Sequence, residues 1–210
     1  VSSFSRYQAL LGLLRDKRSE WHFNPKKGND RLVIFTERLE TMAFLAERLQ
    51  ADLGLDDRQV RTLHGTMPDT ELQTLVEDFG KDKAKVRILV CSDVAAEGLN
   101  LHFLCRRLVH FDVPWSLLVF QQRNGRIDRY GQTREPRILY LLTESKNEEI
   151  RGDVQVLEHL IARDDQAMKN IGDPSALQGV LDVDAQELRT AEVMAEATGQ
   201  VRRGRDLDPA

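Results

Sequence analysis

The sequence predicts an α/β protein: a central, mainly parallel sheet flanked by helices, followed by a helical C-terminal extension. Three observations lead there. Short apolar runs such as Leu32–Phe35 recur along the chain, helical patterns separate them, and after Thr143 the runs give way to long charged segments. A short run that is apolar at every position suits a strand covered on both faces, as the crossovers of a parallel sheet require. Strands alternating with helices indicate that same layered arrangement.

The elements follow in order. Phe4 to Glu20 reads as an amphipathic helix with Tyr7, Leu10, Leu11 and Leu14 on one side. Asn24 to Asp30 is a turn-rich loop. Leu32–Phe35 is the first strand, and Thr36 after it is an N-cap candidate. Leu39, Met42, Ala43, Leu45, Ala46 and Leu49 form a helical stripe. Val60–Leu63 is a strand and Asp69–Phe79 a helix. Arg87–Cys91 and Arg107–Phe111 are strands, Ser116–Arg129 a helix, and Arg137–Leu142 the closing strand. Right-handed crossovers would gather the loops after the strands at one sheet edge, where ligands usually bind. Glu148–Lys169 is a charged helical pattern broken later by Pro174, and Asp184–Ala197 a further helix. The expected organisation is an N-terminal helix and linker (1–29), a lobe (30–145), a helical extension (146–200) and a frayed tail (201–210).

Composition bounds the reading. The 210 residues suit one domain plus additions, with 41% hydrophobic and 30% charged residues. No apolar run approaches the roughly 20 residues of a membrane span, and no secretory leader pattern opens the chain. It begins with Val1, so an excised piece with a missing partner domain is expected. Cys91 and Cys105 are too few for a disulfide framework, which points to a reducing cytoplasm. Five scattered histidines lack paired metal-ligand spacing, so no metal site is expected. A net charge of −4 neither supports nor excludes a nucleic-acid partner.

The segment Gln121–Gln132 (QQRNGRIDRYGQ) carries the sharpest chemical signal. On a helix, Gln122, Arg126 and Arg129 share a face, while Leu117, Phe120 and Ile127 lie roughly opposite and can pack on the sheet. Gly125 costs about 1 kcal/mol relative to Ala in a helix interior, which suggests close approach by another group. Two arginines beside a glutamine can cradle a phosphate. Spacing alone equally allows a solvated cationic face.

Val90–Leu101 (VCSDVAAEGLNL) runs from a strand into small residues, then Gly98 and Asn100. Ser92 and Asp93 stand at the strand end, where they can meet a ligand, cap a short helix, or both. Cys91 lacks the arginine six positions on that a phosphatase loop needs, since position 97 is Glu; it reads as a small buried residue. Leu63–Pro68 (LHGTMP) lies between a strand and a helix, and free amides near Gly65 could hold a phosphate or simply form a capped turn.

These segments occur in a fixed order, and in that order the chain resembles the C-terminal, second RecA-like lobe of superfamily-2 helicases over about residues 30 to 145. Phe35-Thr36-Glu37 resembles motif IV, His64-Gly65 the turn after it, Ser92–Leu101 motif V, and Gln122–Arg129 motif VI. Gly98–Leu101 and Arg129–Gln132 are closer to the Swi/Snf-type branch, which includes chromatin remodellers and the bacterial RNA-polymerase-associated ATPase. The resemblance implies a RecA-like three-layer domain. It implies that Arg126 and Arg129 act as arginine fingers on ATP, with Gln122 supporting them. Such fingers are worth roughly 10³–10⁵ in rate. Gly98 and Asn100 would approach the nucleotide. Thr36, His64, Gly65, Ser92 and Asp93 would line a nucleic-acid track through phosphates, largely independent of sequence. Asn100 and Glu97 stand where RNA-type helicases commonly carry Asp and Arg, which favours duplex DNA.

No G-x-x-x-x-G-K-[ST] loop and no Asp-Glu pair after an apolar strand occurs in the chain. ATP and magnesium are therefore expected to be held mainly by a missing N-terminal RecA-like lobe, and this chain alone is expected to be inactive. Two other readings stand beside the motor. One is a non-catalytic module that binds nucleic acid or protein, its helical extension serving as a partner surface. The other is an unrelated α/β nucleotide enzyme, against which the lack of a complete catalytic set counts. No membrane partner is expected.

Overall fold

A computed structural model describes residues 2–93, 99–143, 152–169, 187–188 and 190–193. In chain order the elements are α1 (Ser2–Arg15), β1 (Leu32–Phe35), α2 (Leu39–Leu53), β2 (Val60–Leu63), α3 (Asp69–Phe79), β3 (Ile88–Cys91), β4 (Arg107–His110), α4 (Leu117–Asn124), β5 (Arg137–Tyr140) and α5 (Gly152–Lys169). The strands form one parallel sheet in the order β2-β3-β1-β4-β5. Phe35 registers against Cys91 on one side and His110 on the other.

Two compact units are present, Val1–Asp112 with Gln122–Leu141, and Val113–Gln121 with Leu142–Ala210. The first contains the sheet. Alternation of side chains along each strand supplies its two faces separately. Leu32, Ile34, Ile88, Val90 and Val109 pack with Tyr7, Leu10 and Leu14 of α1 and Met42, Leu45 and Leu49 of α2. Val33, Phe35, Leu89, Cys91 and Leu108 pack with Leu75 and Phe79 of α3 and with Ile127. The N-terminal helix thus completes the lobe's core. Cys91 and Cys105 are both buried free thiols, as their apolar neighbours require, and burial pushes the Cys105 pKa up to about 11.

β1, β2 and α3 have the bounds read from the sequence, α2 runs four residues past the last position of its stripe, and α1, β3, β4, α4 and β5 are shorter than expected. α1 stops at Arg15, not Glu20. Asp16 Oδ1 accepts from the Arg18 amide at 2.9 Å and Ser19 Oγ from the Trp21 amide at 3.0 Å, so short polar side chains draw the backbone into turns. Thr36 does not cap α2: Arg38 occupies the N-cap with no side-chain bond, and the Thr36 hydroxyl is engaged elsewhere. Leu39 and Ala43, read as part of the α2 stripe, are exposed. α2 ends at Gly54, whose φ of 64° is the left-handed conformation that suits glycine. β3 begins one residue late; β4 and β5 end before Phe111 and Leu141, whose amides still bond Phe35 O at 2.9 Å and His110 O at 3.0 Å.

The larger departure is α4. The helix expected to reach Arg129 ends at Asn124, and residues 125–129 form tight turns in which the amides of Arg126 and Ile127 bond the carbonyls three residues back. Gly125 gives little support to a helix there. Asn124 commits its side chain to strand residues. Gln122, Arg126 and Arg129 therefore do not share a helical face.

In the second unit, Phe120, Val156, Leu157 and Leu160 are buried, and Gln121 Nε2 donates to Asp164 Oδ1 of α5 at 2.8 Å. Asp153 accepts from the Thr143 amide at 2.9 Å. Residues 187–188 and 190–193 are helical, inside the expected 184–197 span; residues 148–151, Pro174 and the 201–210 tail lie outside the described residues. Among the described residues no helix is long and apolar enough to cross a membrane.

Candidate functional site

Parallel strands bring their C-terminal ends to one edge of the sheet. Thr36 follows β1, His64 follows β2, Ser92 and Asp93 follow β3, and Asp112 follows β4 by two residues. The sheet bonding carries past the strand ends: Thr36 N donates to Cys91 O at 3.1 Å and Ser92 N to Leu63 O at 2.9 Å. Motifs far apart in the chain thereby become neighbours.

Arg123 ties this edge together. Its side chain is only 2% exposed. Its Nε donates to Asp93 Oδ1 at 2.6 Å and its Nη2 to Asp93 Oδ2 at 2.8 Å, a two-point carboxylate pair. Nη1 donates to the Asp112 carbonyl at 2.9 Å, and the guanidinium lies 5.6 Å from the centre of the Phe35 ring. Burial acts to lower the Arg123 pKa, but bonding to Asp93 and the charges of Asp93 and Asp112 outweigh it and keep the group cationic. Asp112 also accepts from Thr36 Oγ1 at 2.6 Å and from the Glu37 amide at 3.0 Å. One network thus joins the ends of β1, β3, β4 and α4.

His110 extends the network inward. Asn124 Nδ2 donates to the Tyr140 hydroxyl at 3.2 Å, which turns its Oδ1 toward His110 Nε2 at 2.9 Å. Burial, with the nearby Arg123 charge adding to it, pushes the His110 pKa down to about 3. The neutral ring carries its proton on Nε2, and Nδ1 accepts from Arg123 Nη1 at 3.3 Å. The ring also stacks on Tyr140, with centroids 4.6 Å apart.

Arg126 and Arg129 reach the segment after residue 98. Arg126 Nη1 donates to Leu99 O at 3.1 Å and its Nε to Gln122 O at 2.9 Å; the Leu101 amide donates back to Arg126 O at 3.2 Å. Arg129, an exposed residue, donates to Asn100 Oδ1. Gln122 meets Arg126 through its carbonyl. Gly98 lies outside the described residues, as does Glu97. Thr36 is fully buried with its hydroxyl on Asp112, and Ser92 is buried. His64 is half-buried and Gly65 exposed, with Thr66 Oγ1 2.8 Å from His64 Nδ1.

Sequence reasoning missed Arg123, Asp112, His110, Asn124 and Gln132. A signal for Arg123 was present: it lies three residues after Phe120 and four before Ile127, on the apolar side of the helical pattern, where a cation needs a buried partner. Gln132 Nε2 lies within 3.3 Å of the carbonyls of His102, Cys105 and Ile127, closing the turn after Arg129. Gly131 beside it has a φ of 94°, which its lack of a side chain permits.

A parallel five-stranded sheet with helices on both faces, Arg123 buried where its strands end, and Arg126 and Arg129 turned to Leu99 and Asn100 fit one class, a RecA-like helicase C-terminal lobe. The C-terminal part of the Fun30 ATPase domain shares the fold, with a TM-score of 0.58 at 20% identity over 91% of this chain and 54% of that one. The Mss116p DEAD-box helicase domain 2, solved bound to an RNA duplex, gives 0.56 at 21% over 78% and 56%. The helicase conserved C-terminal domain matches residues 7–131, and the chain belongs to that family. It is 32% identical over 126 residues to the uncharacterized ATP-dependent helicase YqhH of Bacillus subtilis, covering 59% of this chain and 21% of YqhH. It is 29% identical over 131 residues to the RNA polymerase-associated protein RapA of Vibrio atlanticus, covering 62% and 12%. The chain spans only about an eighth to a fifth of the length of these relatives.

Proposed function

We propose that this lobe is the second half of an ATP-driven nucleic-acid motor of the Swi/Snf-type branch, moving along duplex DNA. The observation that carries the reading is the convergence of Arg126 and Arg129 on the adjacent residues Leu99 and Asn100. Arg129, whose guanidinium donates to the neutral Asn100 Oδ1, can exchange that partner for a phosphoryl group, whose charge binds it more strongly. ATP is the substrate, bound mainly by a first lobe, and Gly98 and Asn100 approach it from this side. Closure of the two lobes brings the arginines to the transferred phosphoryl group, where they stabilise developing charge. Opening after hydrolysis completes a step. Gln122 supports the cluster by anchoring Arg126 through its carbonyl.

Among the described residues no three His, Cys, Asp or Glu side chains come together to hold a metal ion. Magnesium, like ATP, would be held mainly by the first lobe.

The nucleic-acid track is assigned to the edge where the strands end. His64 and Gly65, being accessible, contact phosphates, while Thr36, Ser92 and Asp93 hold the shape of the edge through the Asp112 and Arg123 bonds. Duplex DNA is favoured over RNA by Asn100 and Glu97.

The test is ATP hydrolysis by the intact polypeptide that carries this lobe, measured alone and with duplex DNA, single-stranded DNA and duplex RNA. Stimulation strongest with duplex DNA is expected. Preference for RNA would sink the DNA assignment. Absence of a phosphate-binding loop anywhere in that polypeptide would sink the motor and leave a non-catalytic binding module.

A further inference from the structure

The opposite end of the sheet, where the strands begin, carries a second concentration of cations. A cavity of about 260 Å³ opens there in front of β1 and β4. Five cationic side chains line it, from Lys27, Arg31, Arg106, Arg107 and Arg134, against two carboxylates, those of Glu20 and Asp30. Both carboxylates are already engaged. Asp30 pairs with Arg107 and accepts the Asn24 amide at 2.8 Å, and Glu20 lies 2.8 Å from Arg137.

The cations divide into two groups. Arg31 and Arg107 are buried and spend their donors on the fold: Arg31 on the carbonyls of Phe79, Gly28 and Lys81, and Arg107 on those of Trp21 and His22. The hydrogen bonds of Arg31 run to neutral carbonyls, its guanidinium lies 5.8 Å from the centre of the Phe79 ring, and the Asp82 and Asp30 carboxylates act on its charge from nearby. Lys27 and Arg106 keep their side-chain donors open among the described residues, and Arg134 uses one, to Leu104 O at 2.7 Å. Burial lowers the Arg106 pKa, and the charges of Arg137, Arg134 and Arg107 lower it further, a sign of net positive potential.

We propose that this cavity is a binding site for a phosphate-type oxyanion. The open donors come from three separate segments: the loop before β1, the residue before β4, and the turn before β5. A carboxylate has two oxygens, which a single guanidinium fork satisfies. A tetrahedral phosphate group offers oxygens in several directions and suits donors arriving from separate sides. The site shares no residue with the ATP chemistry assigned to Arg126 and Arg129.

The phosphate has two sources, free phosphate or the backbone of a nucleic acid lying outside the motor cleft. In the first arm, the thermal midpoint of the chain is measured in sodium phosphate and in sodium chloride at equal ionic strength. The midpoint rises with phosphate, and the double variant Arg106→Gln, Arg134→Gln loses at least most of the rise. In the second arm, binding of a duplex oligonucleotide is measured against salt concentration. If the nucleic-acid backbone is the source, the variant lowers the slope of log K against log salt by about 2. If free phosphate is the source, only the first arm responds. Should the Gln variant fail to fold by circular dichroism, the single substitutions Arg106→Lys and Lys27→Gln are measured in its place. No phosphate-specific rise in the native chain, together with an unchanged oligonucleotide slope, overturns the site.

Discussion

Arg123 holds Asp93 by two parallel hydrogen bonds, of 2.6 and 2.8 Å, from a position where its own side chain is almost wholly buried. The pair joins the helicase segment after β3 to the segment on α4. Removing the arginine leaves Asp93 and Asp112 facing each other without a cation. Breaking a buried pair costs about 3–5 kcal/mol, and the partial exposure of both carboxylates favours the lower end. Arg123→Ala is expected to destabilise the lobe by about 3 kcal/mol. Arg123→Lys should recover little, because an ammonium cannot reproduce the fork. Urea unfolding of the three proteins checks this; full rescue by lysine would show that charge alone suffices.

Arg129 is exposed and bonds only a neutral side-chain oxygen, Asn100 Oδ1, among the hydrogen bonds identified. Arg129→Ala should therefore alter the stability of the lobe by no more than about 0.5 kcal/mol. In the intact two-lobe protein the same change is expected to slow ATP turnover by roughly 10³-fold or more while ATP binding is largely kept. Single-turnover hydrolysis and equilibrium nucleotide binding separate the two effects. Undiminished turnover removes Arg129 from the finger role.

His110 is held neutral, with its pKa lowered from 6.5 to about 3. Between those values the unfolded chain binds a proton that the folded chain does not. Stability from this group is fully present above pH 6.5 and is withdrawn as pH falls toward 3, by up to roughly 1.4 kcal/mol per pH unit. Imidazole nitrogen shifts should show an Nε2–H ring that does not titrate between pH 8 and 5. A ring titrating near 6.5 would contradict the buried network. His110→Gln should flatten the acid limb of stability measured by urea unfolding.

Gly131 occupies a left-handed conformation in the turn that Gln132 closes. Gly131→Ala places a side chain at that φ, with the new carbon 3.5 Å from His102 Nε2, so backbone strain and not a clash sets the effect. A loss of about 1–2 kcal/mol is expected in the urea midpoint. No loss would mean that the turn relaxes to another conformation.

Much of the fold was readable because the sheet is buried on both faces. That condition turns Leu32–Phe35 and Ile88–Cys91 into continuous apolar runs and marks the strands without reference to their partners. Helix ends were harder to read, since they depend on local competition. Asp16 and Ser19 bond nearby amides and end α1 early, and Asn124 commits its side chain to His110 and Tyr140 where α4 ends.

For the site, the sequence by itself determined which residues carry charge and in what order the motif-like segments occur, because these depend on residue type and spacing. It marked Arg126 and Arg129 and the strand-end residues Thr36, His64, Ser92 and Asp93. Only the tertiary structure decided that Arg126 and Arg129 leave the helix and turn to Leu99 and Asn100, while Arg123 becomes the buried cation that binds Asp93 and Asp112. The physical reason is that an ion pair is defined by distance and desolvation across separate strands, and neither quantity is written in the spacing of one segment.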